Sequence, residues 1–312
     1  MKTLTQSNLT AAALARLRHA PDARMKEIMS ALIRHAHGFV REVELNPQEW
    51  KAGIDFLTAV GRITDDRRQE FILLSDTLGI SAMVDLVTHT REAARATDSS
   101  LLGPFYREGA PERPLGASIA GDTPGESIIV RGRVTDPRGR ALAGATVDVW
   151  QAAPSGKYDI QDPSQPDMNL RGRFRTDAQG RYEFRSVKPR SYPVPDDGPV
   201  GVLLRAQGRH PYRPAHIHFI ISADGYRQLI TALYIAGDSY IDSDAVFGAK
   251  QSLTVGYRKS RGAGANGAGP DALEFDFALA PVTGEPRARP RRARAGAARA
   301  RRRPVRRRMR SA

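Results

Sequence analysis

Over roughly the first hundred residues the apolar positions recur every three or four residues, the period of a helix that buries one face. Met25, Ile28, Met29, Leu32, Ile33, Phe39 and Val40 follow that spacing, from just after the capping side chain Asp22 towards Glu44. A shorter helix is expected in LTAAALARLRHA, from Leu9. A third starts at NPQEW, where Asn46 caps, Pro47 fits the first helical position and Glu49 completes a capping-box spacing. Trp50, Ile54, Leu57 and Gly61 then share one face. TDDRRQEFILLSDTLG predicts a fourth helix, with Thr64 as its cap and Gly79 as its stop, and a fifth runs from about Ser81 to Ala94. Apolar stripes of this kind are core or dimer contact, and they point to a homodimer joined through residues 10–95.

Near ATDSSLLGPFY the period shortens to two. SIIVRGRV leads through the turn DPRGR into ATVDVW, and GRFRT leads through DAQG into RYEFRSV. AHIHFIIS, LITALYI and DFALAP follow. The class is therefore α+β: an N-terminal helical dimerisation or linker region (1–98), then an antiparallel β-sandwich with long loops (99–285), then a tail (286–312). There is no internal repeat, and the spacings of dinucleotide and phosphate-binding loops are missing.

Within the sandwich, RPAHIHFIIS places two histidines two residues apart in an apolar run. On a strand His216 and His218 share a face, with Ile217 turned away. Two neutral imidazoles so placed can reach one metal ion; the alternative is a pair of buried, hydrogen-bonded histidines. His35-Ala36-His37 has the same spacing but helical neighbours, and on a helix such positions do not face each other.

Composition narrows the chemistry. The 312 residues include no cysteine, which excludes disulfides, thiolate ligands, iron–sulfur clusters and a cysteine nucleophile, and fits the cytoplasm. Neither a signal peptide nor an apolar run of about 18 residues is found, so no membrane span is expected. The net charge of +14 is misleading, because thirteen arginines and no acid lie between Pro286 and Ala312. The rest is nearly neutral and gives no global case for nucleic acid. The tail is expected to be a disordered, solvated extension, whose other use would be weak binding of a polyanion such as nucleic acid.

Two tyrosines stand in the loops of the β region. Tyr158, in Lys157-Tyr158-Asp159, follows the strand ending at Trp150; Tyr192 precedes Pro193, which holds it extended. Each alone is an ordinary packing residue. If two phenolates and two imidazoles meet, the ion between them should be hard and trivalent, because a phenol of pKa about 10 ionises at neutral pH only beside a highly charged cation. Fe(III) suits this better than Zn²⁺.

The stretches LLGPFY, VDVWQAAPSGKYDIQDP, NLRGRFRTDAQGRYEFRSVKPRSYPVPDDGPV, LLRAQGRHPYRPAHIHFIISADGYR and GDSYIDSDAVFG closely resemble the intradiol ring-cleaving dioxygenases. The resemblance spans roughly residues 10–280 and is strongest to the branch acting on hydroxyquinol, with the catechol branch next. It implies one non-haem Fe(III) per chain, bound by Tyr158, Tyr192, His216 and His218. Tyr192 would leave the metal and help to take a substrate proton, and Arg213 would stabilise negative charge on the ring. The implied substrates are O2 and an aromatic diol or triol, and the product is a muconate-type dicarboxylate. Leu73, Asp76, Leu102, Gly103, Pro104, Phe105, Val194, Pro195, Arg213 and Val246 would line the pocket, with Asp76 recognising a third hydroxyl. A phospholipid at the dimer interface is also implied. One departure is Ala232, where the family carries Gln or His. A metal-free sandwich that only binds a ligand is the competing class, and the paired tyrosines with H-x-H count against it.

Overall fold

The computed structural model describes residues 3–66, 68–89, 95–261 and 268–282, with backbone alone for Ser260, Arg261 and Ala268. The Arg-rich tail and the end of the fifth expected helix, residues 90–94, lie outside the described residues. The described residues up to Pro281 belong to one compact unit.

The N-terminal region holds α1 (Leu9–Ala15), α2 (Ala23–Glu42), α3 (Pro47–Arg62), α4 (Glu70–Thr77) and α5 (Ile80–His89). Caps set their starts. Asp22 Oδ1 accepts from the Met25 amide at 2.9 Å, and Asn46 closes the expected capping box with Glu49. Thr64 does not cap α4. Its hydroxyl donates to the Val60 carbonyl at 2.8 Å, which commits it to the end of α3, and α4 starts only at Glu70. Gly79 ends α4 as expected, with φ +73.

None of α1, α2 and α5 contains a buried residue. The stripes expected as core or dimer contact are therefore not core of this chain: Leu32 is 56% exposed, Trp50 57% and Val84 61%. Among the described residues no single helix is long and apolar enough to cross a membrane.

The β region contains β1 (Ser127–Thr135), β2 (Thr146–Trp150), β3 (Arg171–Arg175), β4 (Arg181–Val187), β5 (Tyr192–Pro193), α6 (Pro199–Ala206), β6 (Tyr212–Arg213), β7 (His216–Ser222), β8 (Leu229–Ile235), β9 (Thr254–Val255), β10 (Arg258–Arg261), β11 (Ala268–Glu274) and β12 (Phe277–Ala278). One five-stranded sheet runs β10-β11-β1-β12 with β4 also on β1; the other runs β3-β2-β7-β8-β9. Most pairs are antiparallel. β1 with β11 and β12, and β8 with β9, are parallel, because long connections bring those short strands back in the same direction. Ile128, Val130, Phe184 and Leu273 from the first sheet share one core with Val147, Phe174, Ile217 and Phe219 from the second. The Phe184 and Phe219 rings meet at 6.3 Å.

A smaller apolar cluster joins helices to the β region through Val60, Leu73, Leu74, Leu101, Val194, Val200, Leu204 and Val246. Gly198 cannot cap α6 with a side chain, and the fully buried Glu70 does so from α4 by accepting the Val200 amide at 3.1 Å. Arg68 Nε donates to the other Glu70 oxygen at 3.0 Å. This crosslink fixes α4, which carries Leu73 and Asp76, beside the Val194–Pro195 turn.

Candidate active site

β7 is a central strand, flanked by β2 and β8. His218 lies opposite Trp150 on β2 and Ala232 on β8; His216 lies opposite Tyr234. Both imidazoles are buried, and their Nε2 atoms are 3.1 Å apart. His216 Nδ1 is 2.7 Å from the Pro214 carbonyl. A carbonyl only accepts, so Nδ1 carries the hydrogen and the Nε2 lone pair faces inward. Trp150 stacks on His218 at 4.8 Å and 2°. His218 Nδ1 is buried with no hydrogen-bond partner, and the methyl of Ala232 opposite offers none.

The tyrosines arrive from two loops. Tyr158 opens the 3₁₀ turn Asp159–Gln161, its amide held by Gln161 Oε1 at 3.0 Å. Tyr192 sits on the β5–β6 ribbon, directly paired with Arg213. Tyr158 Oη lies 3.1 Å from Tyr192 Oη, which lies 3.4 Å from His216 Nε2. The four residues singled out as ligands thus converge. In the helical pair, His35 is exposed and His37 Nδ1 meets Thr10 Oγ1 at 3.0 Å.

Ligands about 2.0–2.2 Å from a shared ion sit roughly 3 Å from one another, so these separations fit a single mononuclear site. Among the described residues no group of three or more His, Cys, Asp or Glu is arranged to hold a metal ion. Any metal affinity here needs the phenols. Burial, and then the neighbouring phenol, pushes Tyr158 well above its ordinary range, and burial also raises Tyr192. Burial and then Arg213 push His216 down to about 3, and burial drives His218 well below its usual value. The set is two neutral imidazoles and two phenols that ionise only beside a concentrated positive charge, a match for a hard, highly charged ion.

Arg213 is buried beside this cluster, with Nη1 3.0 Å from His216 Nε2. Burial opposes its charge, but Asp244 and the nearby phenols outweigh that and hold it protonated. Asp244 was not singled out from the sequence, although it lies in the quoted GDSYIDSDAVFG. It accepts from Arg213 Nε and Nη2 at 3.2 and 3.3 Å and from the amides of Val246, Gly248 and Ala249. Tyr234 was missed as well. Its hydroxyl lies 3.2 Å from Arg213 Nη2 and 2.8 Å from Ser100 Oγ.

A narrow cavity of ≈ 20 Å³ opens onto the cluster. Leu73, Asp76, Leu101, Gly103, Pro104, Phe105, Val194, Pro195, Arg213 and Val246 line it, with Tyr192 and His218. Leu102 does not line it. Leu101 borders the cavity and is 8% exposed, whereas Leu102 is 37% exposed. Gly103 has φ +72, and a Cβ there would stand 3.5 Å from the His218 ring. A roomier groove between Leu115, Arg131, Arg181, Tyr182 and Phe275 holds none of these residues.

Comparison with known proteins gives concordant matches. The family described as "Catechol dioxygenase N terminus" matches residues 22–96, and that described as "Dioxygenase" matches residues 101–281. The chain is 48% identical over 282 residues to 6-chlorohydroxyquinol 1,2-dioxygenase of Cupriavidus pinatubonensis, covering 90% of this chain and 100% of that one. It is 51% identical over 247 residues to hydroxyquinol 1,2-dioxygenase of a Rhizobium species, covering 79% and 83%. The solved structure of hydroxyquinol 1,2-dioxygenase from Pseudomonas putida is similar with a TM-score of 0.82 at 46% identity, covering 88% of this chain and 98% of that one.

Asp76 yields a pH-dependent expectation. Its carboxyl is only 5% exposed, and burial raises its pKa above the unfolded value of 3.8. The folded state therefore releases this proton less readily, and its stability falls as pH rises from about 4 through the raised folded pKa. Asp76→Asn is expected to raise the melting temperature at pH 7–8 and to leave it unchanged near pH 4. Equal melting curves at both pH values, read by differential scanning calorimetry, would contradict the buried charge.

Proposed function

The chain belongs to the intradiol ring-cleaving dioxygenases, and on that premise we propose that it opens hydroxyquinol with O2 between two adjacent hydroxyl-bearing carbons. The supporting observation is the convergence of Tyr158, Tyr192, His216 and His218 beside Arg213, at a cavity containing the buried carboxyl of Asp76. The resident ion in this proposal is one Fe(III) per chain, held by those four side chains. When bound, ferric iron supplies the Lewis acidity that keeps the diol a dianion and the electronic link that lets O2 react with its ring.

The chain's own residues do the remaining work. Tyr192 Oη borders the cavity and, once it is a phenolate, accepts a proton from a substrate hydroxyl; burial favours its return to the neutral phenol. Arg213, kept charged by Asp244, stabilises negative charge spreading over the ring. Leu73, Val194, Pro195 and Val246 exclude water, and Gly103, Pro104 and Phe105 complete the wall. Asp76 pairs with the third hydroxyl. The product is 3-hydroxy-cis,cis-muconate or its keto tautomer maleylacetate, carrying both oxygen atoms. Cleavage of catechols or chlorocatechols is the second reading. It is favoured by Ala232, which removes a polar side chain from beside His218.

Oxygen uptake with hydroxyquinol, 6-chlorohydroxyquinol, catechol, 4-chlorocatechol and protocatechuate separates these readings. Hydroxyquinol is expected to show the highest kcat/KM. A polar group that recognises a substrate hydroxyl in a buried site can discriminate by up to about 10⁴-fold, because the analogue lacking it leaves that group unpaired. Asp76→Ala is expected to lower kcat/KM for hydroxyquinol far more than for catechol. An equal fall for both would reduce Asp76 to packing. A wild type that prefers catechol would overturn the substrate assignment and leave the reaction class standing.

We also infer a homodimer built on the exposed apolar faces of α2, α3 and α5, with a lipid between the copies as the resemblance implies. Light scattering at micromolar concentration is expected to give twice the mass of the 34.2 kDa chain. A monomer would contradict this.

A further inference from the structure

The two tyrosines of the cluster are held differently. Tyr192 lies on a two-residue ribbon and borders the cavity. Tyr158 is enclosed. The Phe105 ring stacks on it at 4.7 Å, and the guanidinium carbon of Arg171 lies 5.9 Å from its ring centroid. Arg171 is 1% exposed. Its Nε and Nη2 donate to Asp159 Oδ1 at 2.8 and 2.6 Å, while its Nη1 is buried with no hydrogen-bond partner. Asp159 is the next residue after Tyr158. Its second oxygen accepts from Arg107, which also bridges to Asp167 at 2.9 Å. Arg107 continues the stretch Phe105-Tyr106-Arg107, whose middle ring packs at 4.9 Å on Trp150, the residue stacked on His218.

We propose that Arg171, locked by Asp159 and by Arg107 behind it, is a positioning residue that holds the Tyr158 ring in place as a metal ligand. This rests on the ligand assignment given above. Stability alone is a poor reason for the arrangement. A buried ion pair returns little over well-packed apolar side chains, and an orphaned Nη1 adds a cost. A guanidinium facing an aromatic ring is attracted by its electron density, and more strongly when the ring carries phenolate charge. The stacked Phe105 ring restricts tilting of the phenol, and fixing Asp159 fixes the backbone from which Tyr158 projects. A coordinated phenolate of unchanging geometry is the outcome.

The test reads metal binding and colour rather than turnover. Iron-loaded wild type is expected to show a visible tyrosinate-to-iron charge-transfer band; a colourless wild type would overturn the ligand assignment before any variant is made. Three variants then address Arg171. The neutral pair Asp159→Asn/Arg171→Gln removes the lock without stranding a buried charge. Arg171→Lys keeps the charge and loses the fork, and Arg107→Gln loosens Asp159 from the more exposed side. With apo-protein melting temperatures matching wild type, the neutral pair is expected to bind iron at least 10-fold more weakly with a shifted band. Arg171→Lys is expected to recover part of both effects, and Arg107→Gln to show a smaller shift in the same direction. If the neutral pair does not fold, Arg107→Gln decides. Wild-type iron affinity with an unmoved band would overturn the proposal. So would weakened binding seen only in step with a lowered melting temperature.

Discussion

Four buried polar atoms, from Tyr158 through Tyr192 and His216 to His218 in steps of 3.1, 3.4 and 3.1 Å, form the arrangement on which the rest of this molecule depends. Two phenols and two imidazoles cannot be buried together as charged groups without a compensating ion. Left to themselves they stay neutral, with the phenols pushed up and the imidazoles pushed down. The same desolvation makes the cluster a strong receptor for a concentrated positive charge. It also gives Asp244 a clear role, as the counter-ion of a buried guanidinium within hydrogen-bonding distance of His216.

The fold supplies the four donors from unlike sources. β7 lends two positions of one strand, rigid because both edges of that strand are paired. The two loops lend one tyrosine each, and their anchoring differs: a 3₁₀ turn with an ion-pair chain for Tyr158, and a two-residue ribbon for Tyr192. The helical region closes the cavity from outside. Glu70 crosslinks α4 to α6, and through that contact Leu73 and Asp76 face Val194 and Pro195. Asp244 ties the other wall together, since one carboxylate holds both the Arg213 guanidinium and the amide of Val246.

Much of this was legible in the sequence, and for stateable reasons. His216 and His218 follow from strand period alone, because nothing but local geometry decides that they share a face. The helix starts at Asp22 and Asn46 are equally local, set by side chains bonding amides two or three residues away. Tyr158 and Tyr192 stood out as loop tyrosines, but their meeting with the histidines was implied only by family resemblance, since no local rule joins two loops so far apart in sequence. Thr64 was misread because a hydroxyl can end one helix as readily as begin the next, and here it bonds backwards to Val60. Leu102 was exchanged for Leu101 because resemblance gives the segment but not the direction of each side chain. Asp244, Tyr234 and Arg171 went unnoticed because their roles are contacts with distant residues, which carry no periodic or spacing signal. The exposure of α2 and α5 was beyond sequence too, since an apolar stripe looks the same whether its own chain or a second copy covers it.

Diffraction from crystals of the purified protein, recorded on either side of the iron absorption edge, tests the central claim most directly. The expected result is one anomalous peak per chain, at bonding distance from Tyr158 Oη, Tyr192 Oη, His216 Nε2 and His218 Nε2. A peak at the zinc edge instead, a peak away from these atoms, or no metal in a protein that still cleaves diols would contradict it.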